Sequence, residues 1–472
     1  MNETNKQLPT DPLTNTSIEE ISKKLRDGSI TCFQLTSTYC RRINILNAKL
    51  HAYIYFDEDS ALSWAKSIDT LIENGVDLGP LMGIPIAIKD ICSVNGMPTT
   101  NGSEIKSDHI TGPEGSLVRR LKALGCVILG KTHTVEFALG ATGLNEHKGT
   151  PKNPWDHITH RIPGGSSSGS AVAVASGLAA FAIGTDTGGS VRIPASLNGI
   201  VGLKTTKNKW PTDGIFPLSP TLDTPGPIAR SVKDTKLIFN TYNNNMDTLK
   251  PLNLNDLTFG KLKEPFTENL DPKVSEAFDN ICKELINLGA RVEDVIIDEA
   301  REKATLFPTI VGSEIISAFG REKFLQVVDQ MDPVTGIRAK LGLNVSSVEY
   351  INAKKRMPEL NTIVRGHFRK YDALISPTTI MQAIEVDNSS VGAKLHERSL
   401  LASANTQPVN IFGMCAITYP IQKFTKNERQ QVLPIGLQII CNKDNDDYAV
   451  EIALALEKQF GTPELPNINK FL

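Results

Sequence analysis

The chain has 472 residues, enough to bury a large core as one big domain or as two to three ordinary ones. Apolar residues make up 40% and charged residues 22%, which is typical of a globular protein. The net charge is −2 and no run of five like charges occurs, so neither nucleic acid nor a membrane surface has electrostatic support as a partner.

Cysteine usage and the N-terminal composition predict a cytoplasmic, soluble protein. The seven cysteines are odd in number, lack a CxxC pair and lie mostly in apolar runs, so neither disulfides nor a zinc site is expected. The first ten residues lack the basic and apolar regions of a secretory signal. The longest stretch of small and apolar residues, 171–184, has 14 residues and is too short to span a bilayer.

Apolar periodicity and turn residues predict strands that alternate with helices along the chain. A capping box at Ser17–Glu20 begins the first helix. Further helices are predicted at 32–47, 59–73, 116–124, 168–180, 273–288, 348–370 and 446–460. Strands are predicted at 52–55, 83–90, 126–129, 181–184, 290–296, 373–376, 415–419 and 434–440.

This alternation predicts an α/β fold in which helices cover both faces of a mixed, mostly parallel central sheet. We find neither an internal repeat nor a low-complexity linker, so residues 1–472 are expected to form a single domain. Within it we distinguish an N-terminal helical segment (17–75), a core (83–230) and a C-terminal α/β part of the same sheet (260–472).

Two short motifs mimic familiar catalytic loops. GCVILGKT (125–132) matches a phosphate-binding loop, but its four middle residues favour a strand over a turn, and Gly125 reads as the cap of the preceding helix. GSSSG (165–169) matches a nucleophile elbow, but polar, proline-broken sequence precedes it where a strand is required. None of the eight histidines carries a motif of its own, which argues against a Ser-His-Asp hydrolase.

The chemistry concentrates in two Gly-Gly-Ser turns, at 164–166 and 188–190. A predicted helix and strand separate them, so both turns can return to one end of the sheet. In the second turn Ser190 is predicted to be the N-cap of a helix that starts near Val191. The N–H groups from Thr187 through Ser190 then form a cluster of donors suited to an anion, including the oxyanion of a tetrahedral intermediate.

A nucleophilic serine needs a base, and Lys89 is the candidate. It ends the apolar strand in GIPIAIKD (83–90), at a strand terminus where sites of α/β sheets lie. Burial can leave such a lysine neutral. Two alternatives stay open: Lys89 reaches solvent, or Asp90 pairs with it and keeps it charged.

Together these stretches resemble the amidase signature family. The similarity covers GGSSSGS (164–170) through GTDTGGSVRIPAS (184–196), the GIPIAIKD strand, DTPGPIAR (223–230) and LPIGLQ (433–438). The resemblance implies a catalytic triad of Ser190 as nucleophile, Ser166 as bridging serine on a cis peptide and Lys89 as general base. It further implies oxyanion donors from Thr187, Gly188 and Gly189, and neither a metal nor an organic cofactor.

The resemblance implies an amidase that converts a small carboxamide to carboxylate and ammonia through an acyl-enzyme. WPTDGIFPLSPTLDTPG (210–226) and NTQPVNIFG (405–413) are similar to stand-alone amidases of the indoleacetamide hydrolase type. One alternative is the glutaminase subunit of a tRNA-dependent amidotransferase, but its expected acidic residue in a Met-Tyr-x-x-Asp context is not found between Ser376 and Asn405. Urea-like amides such as biuret are another, and a homodimer is left open.

A binding protein on an inactive amidase fold is the non-enzymatic alternative, and the presence of Lys89, Ser166 and Ser190 together argues against it. Asp186 and Arg192 are predicted to form a structural ion pair beside the nucleophile. Large apolar residues are candidate walls of the substrate pocket, although a residue of this kind belongs more often to the core: Phe137, Trp155, Trp210, Phe216 and Met414.

Overall fold

A single mixed β-sheet forms the centre of the protein. The computed structural model describes residues 7–245, 249–386, 393–425 and 433–472. The strands are β1 (Tyr53–Phe56), β2 (Pro85–Lys89), β3 (Val127–Thr132), β4 (Phe181–Asp186), β5 (Val201–Lys204), β6 (Thr224–Ala229), β7 (Thr258–Leu262), β8 (Arg291–Val295), β9 (Ala373–Pro377), β10 (Cys415–Pro420) and β11 (Gly436–Cys441). Their order is β1-β3-β2-β4-β6-β5-β10-β11-β9-β7-β8, so strands from the N-terminal and C-terminal parts of the chain lie in one sheet.

The helices precede, separate and follow these strands. They are α1 (Ile18–Arg26), α2 (Cys32–Leu50), α3 (Glu58–Glu73), α4 (Asp108–Thr111), α5 (Ser116–Ala123), α6 (Ser168–Ala175), α7 (Arg192–Asn198), α8 (Val232–Asn243), α9 (Pro272–Asn287), α10 (Lys303–Phe319), α11 (Arg321–Val327), α12 (Pro333–Lys340), α13 (Ser347–His367), α14 (Ala393–Ala402), α15 (Gln407–Ile411) and α16 (Asp446–Phe460). The predicted capping box is present, because Ser17 and Glu20 exchange side-chain and backbone hydrogen bonds at the start of α1.

The sheet is mixed, as predicted, but it is not mostly parallel. Among the described strands, β2–β3, β2–β4, β7–β8 and β7–β9 are parallel pairs. The other six pairs, which include all those through β5, β6, β10 and β11, are antiparallel. The sequence pattern misled because a strand that is buried on both faces reads as an unbroken apolar run whichever way its neighbours point.

The central strands are buried along their whole length, which shows that both faces of the sheet are covered. Every residue of β2 through β6 and of β9 through β11 is buried, whereas the edge strands β1 and β8 are partly exposed. In the part of the chain that the structure describes, no helix combines the length and apolarity that a membrane crossing would need.

Helix α6 ends five residues before the predicted boundary at residue 180. Arg42 donates hydrogen bonds to the carbonyls of Ser176 and Gly177, at 2.8 and 2.7 Å, so these groups are satisfied outside a helix. Gly177 has a φ of +70°, and a Cβ there would lie 2.1 Å from the carboxylate of Asp11. The tertiary contact of Arg42, which periodicity does not show, therefore ends the helix.

The GCVILGKT stretch contains strand β3, as predicted, and its lysine is hydrogen-bonded to other side chains inside the protein. Lys131 lies in β3 and is fully buried. Its Nζ donates to Asp90 Oδ1 and Thr99 Oγ1, each at 2.8 Å. Thr100 donates to the other carboxylate oxygen of Asp90.

We predict that Lys131→Met lowers the free energy of unfolding by about 3–5 kcal/mol, because removing one partner leaves the buried Asp90 carboxylate unpaired. Urea denaturation followed by circular dichroism measures this loss. Lys23→Met is the matched control, since Lys23 is an exposed lysine whose pair with Glu19 lies on the surface. A Lys131→Met protein as stable as this control would contradict the structural role of the pair.

Candidate active site

The site lies where two neighbouring parallel strands end. β2 ends at Lys89, and β4 ends with Thr185 and Asp186. Ile88 of β2 is in register with Ile183 of β4, so the carboxyl ends of both strands reach the same edge of the sheet. The loop after β4 and the N-terminus of α6 meet the strands there, which is the usual location of sites in α/β sheets.

Lys89 is fully buried and bound by two hydroxyl groups. Its Nζ lies 2.8 Å from Ser166 Oγ and donates to Thr185 Oγ1 at the same distance. Burial lowers the pKa of Lys89 to about 7, although the more distant charges of Cys92, Asp223 and Asp186 oppose this shift. The amine is therefore neutral in a substantial fraction of molecules at neutral pH. Thr185 was not singled out from the sequence.

Both alternatives for Lys89 are contradicted. Its side chain does not reach solvent. Asp90, its neighbour in sequence, points to Lys131 instead, because successive side chains of an extended strand face opposite sides of the sheet. The amine thus has hydroxyl partners where the sequence allowed a carboxylate.

Backbone hydrogen bonds hold Ser166 beside the lysine. The Gly165–Ser166 peptide is cis, as the family resemblance predicted, and Ser166 is fully buried. The Ser166 carbonyl accepts from Val135 N–H at 3.2 Å, and Gly165 N–H donates to Ala141 at 2.8 Å. These bonds tie the turn to the loop that follows β3.

Ser167 connects the two Gly-Gly-Ser turns. Its Oγ accepts from Thr185 N–H at 3.3 Å, and its own N–H donates to the carbonyl of Ser190 at 3.3 Å. Ser190 is brought to the same edge of the sheet as Lys89 and Ser166.

Ser190 is not the N-cap of the following helix. α7 starts at Arg192, and Val191 occupies the cap position without a side-chain cap bond. The carboxylate of Asp186 serves this helix end, because it accepts from Val191 N–H at 3.2 Å. The predicted ion pair is present, with Arg192 and Asp186 2.9 Å apart and both fully buried. Because the Asp186 carboxylate caps α7, the Ser190 hydroxyl is not used as a capping group.

The loop between β4 and Ser190 presents backbone donors. Among the residues that the structure describes, none accepts a hydrogen bond from the N–H groups of Thr187, Gly188 and Ser190. Gly189 differs, because its N–H donates to Asp186 Oδ1 at 2.8 Å. The prediction that Gly189 supplies an oxyanion donor conflicts with this bond.

Side chains on both sides fix the loop. Thr187 Oγ1 donates to Asp223 Oδ1 at 2.5 Å, and the Gly188 carbonyl accepts from Thr406 Oγ1 at 2.7 Å. Burial raises the pKa of Asp223 to about 6. A Cβ on Gly188 would lie 2.7 Å from the Phe307 ring, so only glycine leaves room for that wall.

A narrow cavity of about 20 Å³ opens in front of Ser190. That volume is about enough for one water molecule. The residues that line it come from both halves of the chain: Ala138, Leu139, Gly140, Ala141, Thr187, Gly188, Ser190, Ile193, Leu218, Phe307, Arg338, Ser403 and Gln407. None of these described lining residues is acidic. Elsewhere in the described ranges, too, no group of three or more His, Cys, Asp or Glu is placed to hold a metal ion.

The five candidate wall residues belong to the core instead. Phe137 and Phe216 stack with ring centroids 5.0 Å apart, Trp210 packs on Tyr242, and none of the five lines this cavity. Sequence reasoning missed four lining residues of the C-terminal half: Phe307, Arg338, Ser403 and Gln407. Gln407 lies within the NTQPVNIFG segment, which was the available signal, whereas Phe307 and Arg338 lie in helices without a motif.

Comparisons with known proteins identify the family of this chain. The Amidase family profile matches residues 34–450. The chain is 34% identical to 2-amino-5-chloromuconic acid deaminase of Comamonas testosteroni, over 95% of this chain and 99% of that protein. It is 32% identical to one subunit of the glutamyl-tRNA(Gln) amidotransferase of Streptomyces coelicolor, over 93% and 95% of the two chains.

Solved structures show the same relationship. A crystal structure described as an amidase superposes with a TM-score of 0.84 at 28% identity, covering 94% of this chain and all of that one. Peptide amidase of Stenotrophomonas maltophilia gives 0.76 at 27% identity, covering 97% and 99%. The chain belongs to the amidase family, and it is a hydrolase that acts on the C–N bonds of amides.

The lowered pKa of Lys89 predicts a specific pH dependence of stability. Between pH about 7 and the ordinary lysine value of about 10.4, the unfolded chain binds a proton on Lys89 that the folded chain lacks. Raising the pH from 7 to 9 is therefore expected to stabilise the wild-type protein relative to Lys89→Met.

Urea unfolding of both proteins at pH 7 and 9 measures this difference, with Lys340→Met as an exposed-lysine control. A difference between wild type and Lys89→Met that stays constant with pH would show that the folded protein keeps Lys89 charged.

Proposed function

We propose that this amidase hydrolyses a small carboxamide through an acyl-enzyme on Ser190, with Ser166 as proton bridge and Lys89 as general base. The observation that carries this proposal is the 2.8 Å contact of a buried lysine amine with Ser166 Oγ. A neutral amine can donate one N–H to Thr185 and still accept the Ser166 proton through its lone pair. The match to the Amidase family spans residues 34–450 and therefore includes Lys89 and both serines, which supports the proposal.

The first half of the reaction forms the acyl-enzyme. Ser166 gives its proton to Lys89 Nζ and accepts the proton of Ser190, while Ser190 Oγ bonds to the amide carbon. The carbonyl oxygen becomes an oxyanion, and we expect the N–H groups of Thr187, Gly188 and Ser190 to stabilise it. Since the Gly189 N–H is bonded to Asp186, it stays outside this set.

The second half returns the protons. The Lys89 ammonium sends its proton back through Ser166 to the leaving nitrogen, and the C–N bond breaks to release the amine or ammonia. Water then attacks the ester on Ser190 with the same lysine and serine as base. The carboxylate leaves, and both serines regain their hydroxyl protons.

Two relatives suggest different substrates. The Comamonas relative is named for a carboxylic acid as substrate and for deamination as its reaction, which favours a free-standing enzyme that acts on a small acid. Similarity to the Streptomyces amidotransferase makes a glutaminase subunit the second candidate. Glutamine carries an α-ammonium group, and the cavity has no acidic residue among its described lining to bind that group. Urea-like amides, a homodimer and a cytoplasmic location remain predictions.

We predict that Ser190→Ala lowers kcat by roughly 10³-fold or more while the fold is retained, because the attacking group is lost. Ammonia release from a panel of amides, from acetamide and indoleacetamide to biuret and glutamine, together with circular dichroism, measures this. Labelling by a fluorophosphonate is expected to disappear as well. Ser168→Ala is the matched control, because Ser168 is a buried serine whose Oγ makes one long bond to His133. Near-normal turnover by Ser190→Ala would exclude Ser190 as the nucleophile.

The pH–rate profile tests the base. We expect log kcat/KM to rise with a slope of about 1 up to pH about 7 and then to level off, because only the neutral amine of Lys89 accepts a proton. Lys89→Met is expected to remove the activity, and Lys131→Met to keep this profile in the molecules that fold. A profile that falls through pH 7 would require a protonated lysine and contradict the mechanism.

A further inference from the structure

Glu314 is a buried carboxylate of α10 that is not one of the described residues lining the cavity in front of Ser190. It is 7% exposed. Its Oε2 accepts from Ser219 Oγ at 2.5 Å and from Thr221 N–H at 3.1 Å. Its Oε1 accepts from Tyr350 OH at 2.7 Å and from the Thr221 hydroxyl. The carboxylate therefore joins two parts of the chain, the loop that contains Ser219 and Thr221 and the helix α13.

Hydrogen bonds, rather than a close ion pair, hold the charge of Glu314. Lys354 lies 3.9 Å from the carboxylate, but its side chain is 41% exposed, and ion pairs of this kind contribute little. Charge-assisted hydrogen bonds to a buried carboxylate are stronger and shorter, as observed here for Ser219. The position of the Ser219 side chain therefore depends on the Glu314 carboxylate.

Ser219 connects Glu314 to Asp223. The Ser219 N–H donates to Asp223 Oδ2 at 2.9 Å, and the Ser219 carbonyl accepts from Asp223 N–H at 2.8 Å. The other carboxylate oxygen of Asp223 accepts from Thr187 Oγ1. A series of hydrogen bonds thus leads from α10 through Ser219 and Asp223 to the loop that carries Ser190.

Helix α10 contacts the same loop at a second point. Phe307 lies seven residues before Glu314, so both side chains are on one face of the helix. The Phe307 ring packs against Gly188, because a Cβ added there would lie 2.7 Å from the ring. One face of α10 thus supports Thr187, through Asp223, and Gly188 directly.

We propose that Glu314 is a positioning residue of the reaction, which acts through Ser219 and Asp223 to fix Thr187 and the neighbouring backbone N–H groups. This inference rests on the function proposed above, since it assumes that Ser190 attacks the amide and that these N–H groups stabilise the oxyanion. Backbone donors stabilise an oxyanion only when they are held in position before the reaction. A displacement of the loop is therefore expected to lower the reaction rate as well as the stability.

The rate at which a fluorophosphonate labels Ser190 tests this role without an identified substrate. Ser190 Oγ bonds to phosphorus, fluoride leaves, and the phosphoryl oxygen occupies the place of the oxyanion. The variants are Glu314→Leu, Glu314→Gln, Thr187→Val and the double variant of Glu314→Leu with Thr187→Val. Glu457→Leu is the matched control, because Glu457 is also a buried carboxylate and accepts the backbone N–H groups at the start of α8. Rates are referred to folded protein, which circular dichroism and urea unfolding measure.

We expect Glu314→Leu to lower the labelling rate constant by about 10- to 100-fold, and to lower kcat for the amide panel by a similar factor with nearly unchanged KM. Glu314→Gln keeps one acceptor oxygen and is expected to retain part of the rate. Glu457→Leu is expected to lower the unfolding midpoint but to change the labelling rate by less than about threefold, because stability alone does not position the loop. In the Thr187→Val background, Glu314→Leu is expected to have an effect of less than about threefold, since the last bond of the series is already absent.

The proposal is overturned if folded Glu314→Leu is labelled as fast as the wild type, or if its effect is equally large in the Thr187→Val background. An equal loss of rate in Glu457→Leu would also overturn it, because the loss would then follow from stability alone. If Glu314→Leu does not fold, the same comparisons with Glu314→Gln decide the question. The proposed role of Ser190 fails separately, because labelling of Ser190→Ala at the wild-type rate would disprove that role whatever the Glu314 variants show.

Discussion

The burial of one lysine amine between two hydroxyl groups is the constraint on which the active site depends. Burial lowers the pKa of Lys89 to about 7, and contact with a carboxylate such as that of its neighbour Asp90 would raise this pKa again. Strand geometry prevents this contact with Lys89, because it turns the Asp90 side chain towards Lys131 on the other face of the sheet. Lys131, which belongs to the segment that matches a phosphate-binding loop, therefore binds the Asp90 carboxylate that could otherwise pair with Lys89.

Carboxylates hold this site without taking part in the proposed chemistry. Asp186 caps α7, binds Arg192 and takes the Gly189 N–H, which leaves the Ser190 hydroxyl without a structural task. Asp223 orients Thr187 in the same loop. Because acidic groups occupy the structural positions, the remaining backbone donors and hydroxyls stay available to an amide and to the oxyanion that forms from it.

The two halves of the chain contribute different parts of the candidate site. Residues from Lys89 to Ser190 supply the groups of the proposed reaction, all at one edge of the sheet. The cavity wall is completed by α10, α12 and α15, which follow in the C-terminal half and contribute Phe307, Arg338 and Gln407. The groups of the proposed reaction and the C-terminal part of the cavity wall thus come from different stretches of the chain, and relatives of this chain carry different named reactions.

The sequence alone determined the fold class, most strands and the positions of the candidate lysine and serines, because apolar runs and glycine-rich turns are local signals. It did not determine strand direction, the early end of α6 or which acid caps α7, since these depend on partners such as Arg42 and Asp186 that approach from elsewhere. The residues that line the cavity could not be predicted from the sequence either. No sequence motif distinguishes Phe137 from Arg338 as a core or a cavity residue. The packing of helices that are distant in sequence buries Phe137 in the core. The same packing leaves Arg338 on the cavity wall near Ser190, without a carboxylate partner among the described residues.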